Sequence, residues 1–460
     1  MTDPVAFDVV SEGLAEVHRR LLPLRDGEVA SYIPQLALAD PDDFGIALVS
    51  MGGHRYEAGR SRTEFTVQSV SKPFVHALAL SELGLDEMTR WVGNEPSGDA
   101  FNAISLEHGT GRPANPMINA GAIATTNLVP AASPGERSAR ILDTLSAFAG
   151  RRLTVDEDVY RSEAATGDRN RALAYLMHAA GSLRTDPVEA AEVYFRQCSV
   201  LVNTVDLAVM AGTLANGGVN PVTRERVVAE QVAVEVLSVM ATCGMYDAAG
   251  DWLMRVGLPA KSGVSGGLTA ASPARFGIAC YSPPLDPTGS TVRGVVALRE
   301  LSRRFGMHLM HHPAPGADTV TRVGAGGSGG TGTRVSSGRE RVTADRDLLD
   351  RDGDRVVLVA ARGEVDFPAA ERLLHALASA VPLAPGWVVV DLERVTHVRP
   401  VAGLMLGNAF ERISAAGHQV ALVGAADQHW GGVAARHDSV EDALAWAEDA
   451  LLYELRPLPR

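Results

Sequence analysis

The sequence predicts an α+β protein followed by a smaller α/β module, and three observations carry that reading. Strand-like runs at 44–59 and 275–282 lie at the two ends of a stretch that otherwise reads as helices, the layout of a mixed sheet with helices inserted. Residues 324–338, GAGGSGGTGTRVSSG, break that pattern with the composition of a flexible connector. Beyond them, apolar strands alternate with helices at short spacing, which is the pattern of a compact α/β unit.

Each element has its own reason. Phe7, Val10, Leu14, Val17 and Leu21 recur at steps of three and four, so residues 7–22 present one apolar helix face. FGIALVSMGGHRYEAG (44–59) reads as two strands around a Gly-Gly turn. SVSKPFVHALALSELG (69–84) reads as a helix. Pro73 is tolerated only if that helix has just begun, so Ser69 sits near its N-terminus, and Gly84 ends it. Ser69 and Lys72 then share one face, a turn apart. Several helices follow to about residue 250, then RFGIACYS (275–282) as a strand and TVRGVVALRELSRRFGMHLM (291–310) as a closing helix. The fifteen residues of 324–338 span on the order of 20 Å as a random coil. After them VVLVAARG (356–363), GWVVVDLERV (386–395) and QVALVGA (419–425) read as strands. Segments 367–381, 400–417 and the acidic 439–455 read as helices.

Composition narrows the function. A net charge of -13 and a pI near 5.5 argue against broad nucleic-acid binding. The first twenty residues lack the apolar core of a signal peptide, and no run of about eighteen apolar residues suggests a membrane span. The three cysteines, Cys198, Cys243 and Cys280, are odd in number and widely spaced, and read as buried free thiols in a reducing cytoplasm. His308, His311 and His312 cluster, but no carboxylate or cysteine completes a metal site, so none is expected.

The chemistry is concentrated on two residues. Among 42 basic side chains only Lys72 and Lys261 are lysines. Arginine stays protonated at any working pH, whereas a buried lysine can lose its proton and act as a base. Lys72 stands in Ser69-Val70-Ser71-Lys72 and Lys261 in Lys261-Ser262-Gly263, the two ordered motifs of serine acyl-transfer enzymes. An amide carbonyl is a poor electrophile, so attack by serine needs a base for the hydroxyl proton and donors for the oxyanion. Ser69 near a helix N-terminus has backbone N–H groups close by. Lys72 would serve as base once burial lowers its pKa, and a Lys261 cation nearby would lower it further.

Five further stretches accompany these motifs. They are Tyr32-Ile33-Pro34-Gln35-Leu36, Asn115 to Ala122 (NPMINAGA), Ser162-Glu163 leading to Arg169-Asn170, Tyr194-Phe195 before Cys198-Ser199, and Cys243-Gly244-Met245-Tyr246-Asp247. With Gln68 to Lys72 and Pro259 to Val264, residues 1–310 resemble the serine-dependent glutaminases, which share the fold of penicillin-binding proteins and β-lactamases. The resemblance implies hydrolysis of L-glutamine to L-glutamate and ammonia, with no metal and no organic cofactor. It implies Ser69 as nucleophile, Lys72 as base, and Tyr32 and Tyr246 as proton relays to the leaving ammonia. The backbone N–H groups of Ser69 and Val264 resemble the family's oxyanion hole. Glu163 would hold the substrate α-ammonium, and Asn119, Asn170 and Tyr194 would orient the α-amino acid end. Ser265-Gly266-Gly267 departs from the three glycines expected after Lys-Ser-Gly-Val, and implies altered loop mobility.

Residues 350–460 resemble STAS domains, through Gly363-Glu364-Val365-Asp366-Phe367 and Asp391-Leu392-Glu393-Arg394-Val395-Thr396. Regulatory members carry a phosphorylatable hydroxyl at the helix start that follows. Here that start reads His397-Val398-Arg399-Pro400-Val401, so no phosphorylation switch is expected. The expected organisation is a catalytic domain at 1–312, a Gly-rich linker at 313–349 and a STAS-like domain at 350–460. The resemblance suggests a cytoplasmic homo-oligomer, dimer or tetramer, with L-glutamine as ligand, no nucleic acid or membrane, and a possible protein or small-ligand partner for the STAS-like domain. Two alternatives share parts of the pattern. A penicillin-binding protein or β-lactamase has the same lysine motifs but needs export. A regulatory STAS protein with an inactive enzyme domain would have no use for the intact site.

Overall fold

The structure is a computed structural model, and it describes residues 9–97, 106–310, 319–327, 333–425 and 429–456. The chain forms two compact units, Met1–His311 and His312–Arg460.

The first unit opens with helix α1 (Val9–Leu21), which buries Leu14 and Val17; Phe7 lies outside the described residues. Strands β1 (Gly45–Ser50) and β2 (Arg55–Gly59) form the expected hairpin. They join β3 (Ala260–Ser262), β4 (Gly267–Ser272) and β5 (Phe276–Tyr281) in an antiparallel sheet of order β2-β1-β5-β4-β3. Alternation along β1 shows that the sheet is buried on both faces. Ile46 and Leu48 pack with Leu14, Val17, Leu298 and Leu301, while Ala47 and Val49 enter the core of the helical part.

Between β2 and β3 run α2 (Lys72–Leu83), α3 (Asn119–Leu128), α4 (Glu157–Thr166), α5 (Asp168–Ala179), α6 (Pro187–Cys198), α7 (Thr204–Ala215) and α8 (Glu230–Cys243), among others. Every residue of α7 is buried, the mark of a central core helix. Helix α9 (Val292–Phe305) closes the unit; Thr291 caps its start and Gly306 its end. No single helix among the described residues is long and apolar enough to cross a membrane.

The second unit is a six-stranded sheet. Its strands are β6 (Val320–Ala325), β7 (Thr333–Arg334), β8 (Val356–Val365), β9 (Trp387–Val398), β10 (Gln419–Val423) and β11 (Val433–His437), in the order β7-β6-β8-β9-β10-β11. Strands β8 to β11 are parallel and β6 runs antiparallel to β8. Helices α11 (Phe367–Ala380) and α12 (Pro400–Ala415) cover one face, and α10 (Thr343–Asp352) and α13 (Val440–Leu455) the other.

The segment expected to be a free connector is structured wherever it is described. Its glycines serve close packing: a Cβ on Gly324 would lie 2.2 Å from the Thr333 carbonyl oxygen, so β6 and β7 approach only because it is absent. Val335 is buried in the core beneath α13. Strands β6, β7 and β11, all short, are additions to the expected strands.

Candidate active site

Ser69 lies in a 3-10 turn, Gln68–Ser71, and the α-helix proper begins one residue later at Lys72. Gln68 has φ 47°, a left-handed backbone that a residue with a side chain adopts only under constraint. Tyr246, in the turn Tyr246–Ala248, has φ 56°. Two strained residues thus flank the serine. The turn is pinned from outside by the antiparallel pairing of Phe65–Thr66 with Leu201–Val202 and by the Val67 N–H, which donates to the Val200 carbonyl at 2.8 Å.

Lys72 is 1 % exposed and Lys261 0 %. Lys72 Nζ donates to the Met117 carbonyl at 3.0 Å and to Asn119 Oδ1 at 2.7 Å. Burial pushes its pKa down to about 7. Lys261 Nζ donates to Tyr246 Oη at 2.7 Å and to the Ser262 carbonyl. Its pKa falls well below the ordinary lysine value, through burial first and the charge of Lys72 second. Burial is the leading cause at both amines, and the repulsion expected between them adds to it at Lys261. Tyr246 shares a hydrogen bond with Ser69, so a chain runs from Lys261 through Tyr246 to the serine. Gly244 permits this approach: a Cβ there would lie 1.8 Å from the Ala260 carbonyl oxygen on β3.

A cavity of about 310 Å³ opens over Ser69, lined also by Tyr32, Asn119, Glu163, Asn170, Tyr194 and Val264. Of the catalytic and substrate-binding residues expected from the sequence, these seven line the cavity; behind them Lys72 bonds Asn119, Tyr246 bonds Ser69, and Lys261 bonds Tyr246. Glu163, on α4, is 4 % exposed, and burial raises its pKa, with hydrogen bonds from Tyr32 and Gln68 opposing. Tyr32 is half-exposed as a residue, but its hydroxyl turns in to donate to Glu163 Oε1 at 2.8 Å, and Gln68 Nε2 donates to the same oxygen at 3.1 Å. Asn119 Nδ2, at the start of α3, donates to Asn170 Oδ1 on α5 at 3.0 Å. The Tyr194 hydroxyl, on α6, lies 3.5 Å from Asn119 Oδ1.

The cavity wall also holds Gln68, Thr166, Gly167, Arg169 and Cys198, which sequence reasoning did not assign to the site. Cys198 had a readable signal, since it follows Tyr194 by four positions on one helix face. Its thiol is pushed up to about 12 by burial, so it is a neutral wall group. All three cysteines are buried and free. Ser265 has a negative φ and the left-handed position of its loop falls on Gly266, at φ 99°, so a serine is sterically accepted there. Its hydroxyl is buried and finds no hydrogen-bond partner among the described residues. His308 packs beside Gly257, and His311 and His312 lie outside the described residues.

A serine, two buried amines and an enclosed carboxylate around one small cavity are the furniture of a hydrolase for a small amide-bearing substrate. A family model described as Glutaminase matches residues 27–310. Glutaminase 2 of Bradyrhizobium diazoefficiens is 41% identical over 451 residues, 96% of this chain and 71% of that protein. The glutaminase of Corynebacterium glutamicum is 42% identical over 412 residues, 88% of this chain and 93% of its own length. The crystal structure of Mglu in its glutamate form is 38% identical, with a TM-score of 0.78, over 92% of this chain and 98% of that one. The chain belongs to the glutaminase family, and as an enzyme it hydrolyses L-glutamine to L-glutamate and ammonia.

Proposed function

We propose that this hydrolysis runs through a glutamyl ester on Ser69. The state of Lys72 carries the reading. A neutral amine has two N–H groups and one lone pair. The Met117 carbonyl and Asn119 Oδ1 take both N–H groups, which leaves the lone pair to accept a proton. Ser69 Oγ attacks the carboxamide carbon of glutamine, its proton passes to Lys72, and the carbonyl electron pair moves onto oxygen. Backbone N–H groups of Ser69 and Val264 hold that oxyanion. When the C–N bond breaks, its electron pair stays on nitrogen and a proton arrives through Tyr246, which Lys261 holds in place. Water then repeats the attack on the ester, releasing L-glutamate and restoring the Ser69 hydroxyl.

Substrate orientation follows from charge. Glu163 is a buried acid that none of the ion pairs among the described residues includes, which suits an incoming α-ammonium. That ammonium competes with Tyr32 for the same carboxylate and frees the phenol for the proton relay. Asn119, Asn170 and Tyr194 orient the rest of the α-amino acid end. Acid quenching during turnover, followed by peptide mapping, is expected to find the glutamyl group on Ser69. Ammonia release is expected to vanish in Ser69→Ala and to be absent with L-asparagine. Turnover retained by Ser69→Ala would sink the reading.

The finer division of the chain belongs to the same proposal. Residues 1–312 are read as a β-lactamase-like catalytic domain, supported by a five-stranded antiparallel sheet with the Ser-x-x-Lys turn at the foot of a buried helix. Residues 350–460 are read as a STAS-like domain, supported by four parallel strands with helices between them. Its helix α12 starts at Arg399-Pro400 without a hydroxyl, so protein from its native cell is expected to carry no phosphate there. A homo-oligomer in the cytoplasm completes the reading, and light scattering tests its size.

A further inference from the structure

The turn that carries Ser69 is gripped from behind by a chain of hydrogen bonds that the chemistry above does not use. Ser71 Oγ donates to the Gln68 carbonyl at 2.7 Å, Gln197 Nε2 donates to Ser71 Oγ at 2.9 Å, and Thr126 Oγ1 donates to Gln197 Oε1 at 2.7 Å. All four residues are buried, Ser71 and Thr126 completely. Each hydroxyl has a single proton. If Ser71 spends its proton on Gln68, the atom facing Ser71 must be a donor, which fixes the Gln197 amide nitrogen there. The Gln197 oxygen then faces Thr126, whose one other acceptor within reach is the Ala122 carbonyl of its own helix at 2.8 Å. The chain therefore runs in one direction and ends on the carbonyl of the left-handed residue.

The origin of the two outer members matters. Gln197 lies on α6, one turn beyond Tyr194, and Thr126 lies on α3, two turns beyond Asn119. The helices whose other residues face the cavity thus also hold the serine's turn. A fully satisfied buried network is rigid, and a strained backbone persists only where its surroundings over-determine it.

We infer that Gln197 is a positioning residue for the reaction: through Ser71 it holds Gln68 in its left-handed conformation and so fixes where Ser69 Oγ stands. It touches neither the substrate nor the reacting atoms. The inference rests on Ser69 being the nucleophile.

The test compares Gln197→Met, which keeps the volume but makes neither hydrogen bond, with Ser71→Ala, the double variant and Ser69→Ala. A misplacement near 1 Å costs about 10²-fold in rate, so Gln197→Met is expected to lower kcat by about 10- to 100-fold. Binding of L-glutamate, measured by calorimetry, is expected to be unchanged, because other side chains hold the α-amino acid end. Ser71→Ala is expected to show the same loss, and the double variant no more than either single one, since links of one chain are not additive. Gln197→Asn, too short to reach Ser71, is the second variant should Met disturb folding, and the same separation of kcat from binding is expected. Native kcat in folded Gln197→Met, losses that multiply in the double variant, or kcat and glutamate binding falling together would each overturn the inference. If Ser69→Ala is inactive and Gln197→Met is not, this inference alone fails; if Ser69→Ala turns over glutamine, the nucleophile falls and the inference with it.

Discussion

In the second unit the side chains of Arg341 and Glu448 are 8 % and 7 % exposed, and they meet: Nη2 and Oε2 are 3.0 Å apart, with Asp449 on the other guanidinium nitrogen at 2.7 Å. Glu448 also accepts from the Ser337 N–H and hydroxyl. In the first unit Lys72, Lys261 and Glu163 are buried at least as deeply, and the ion pairs found among the described residues include none of them. Burial is the largest influence on Arg341 too, pulling its pKa down, but hydrogen bonds and charge from Asp449 and Glu448 outweigh it and hold it above the ordinary value. Unopposed, the same burial drags both lysines down and lifts Glu163. Paired burial produces a clamp between the 335–341 segment and α13. Unpaired burial produces groups that change protonation or await a partner, which is what amide hydrolysis needs.

The contrast breaks most visibly at Lys72. Replacing it by Met removes a buried amine without leaving a stranded charge, so the protein is expected to stay folded. A lost general base lowers kcat by about 10²–10⁴-fold. Ammonia release with a parallel thermal melt checks both halves, and a Lys72→Met enzyme of normal kcat would remove the base from the scheme. Arg341→Met is expected to do the opposite. It strands Glu448, and breaking a buried pair costs about 3–5 kcal/mol, read as a lower unfolding midpoint of the second unit by calorimetry. Activity on glutamine is expected to be unchanged. A kcat loss in folded Arg341→Met would mean that the clamp reaches the chemistry.

Glu163→Gln sharpens the comparison at a smaller scale. The amide keeps the shape and loses the charge that an ammonium would meet. A hydrogen bond to a charged group contributes about 1.5–3 kcal/mol, so KM is expected to rise about 10- to 100-fold. The protein is expected to be no less stable, since a buried carboxylate without a cation is costly. An unchanged KM would place the α-ammonium elsewhere.

These differences explain what was legible in the sequence. Ser69 and Lys72 were readable from their spacing, because one turn of chain sets their relation. Tyr32, Asn119, Glu163, Asn170 and Tyr194 came only from the ordered motifs, since they arrive from separate elements that packing alone brings together. The left-handed backbone of Gln68 was invisible, because glutamine carries no local preference for it and the buried chain through Ser71 and Gln197 imposes it. In the second unit the glycines of 324–338 looked like freedom and include one, Gly324, that is a steric requirement. Composition reports which conformations are allowed, and only the partner strand shows which of them is used. For the lysine pair, sequence order shows that two amines are present but not how deeply each is buried, and burial is what lowers both.

That last point gives the finest test. With Lys72 near 7, the neutral fraction is about one-tenth at pH 6 and about nine-tenths at pH 8, so kcat/KM is expected to rise roughly tenfold across that interval. The sign follows from the role: a base must be unprotonated, so activity grows as pH passes the folded-state pKa. The residual activity of Lys261→Met discriminates the two lysines. If Lys261 is neutral, its removal takes away no charge and the inflection stays near 7. If instead Lys261 carried the proton beside a neutral Lys72, removing it would relieve the repulsion and move the inflection upward by about one pH unit or more. An upward shift of that size would place the cation on Lys261, and an unmoved inflection would leave Lys72 as the group that titrates.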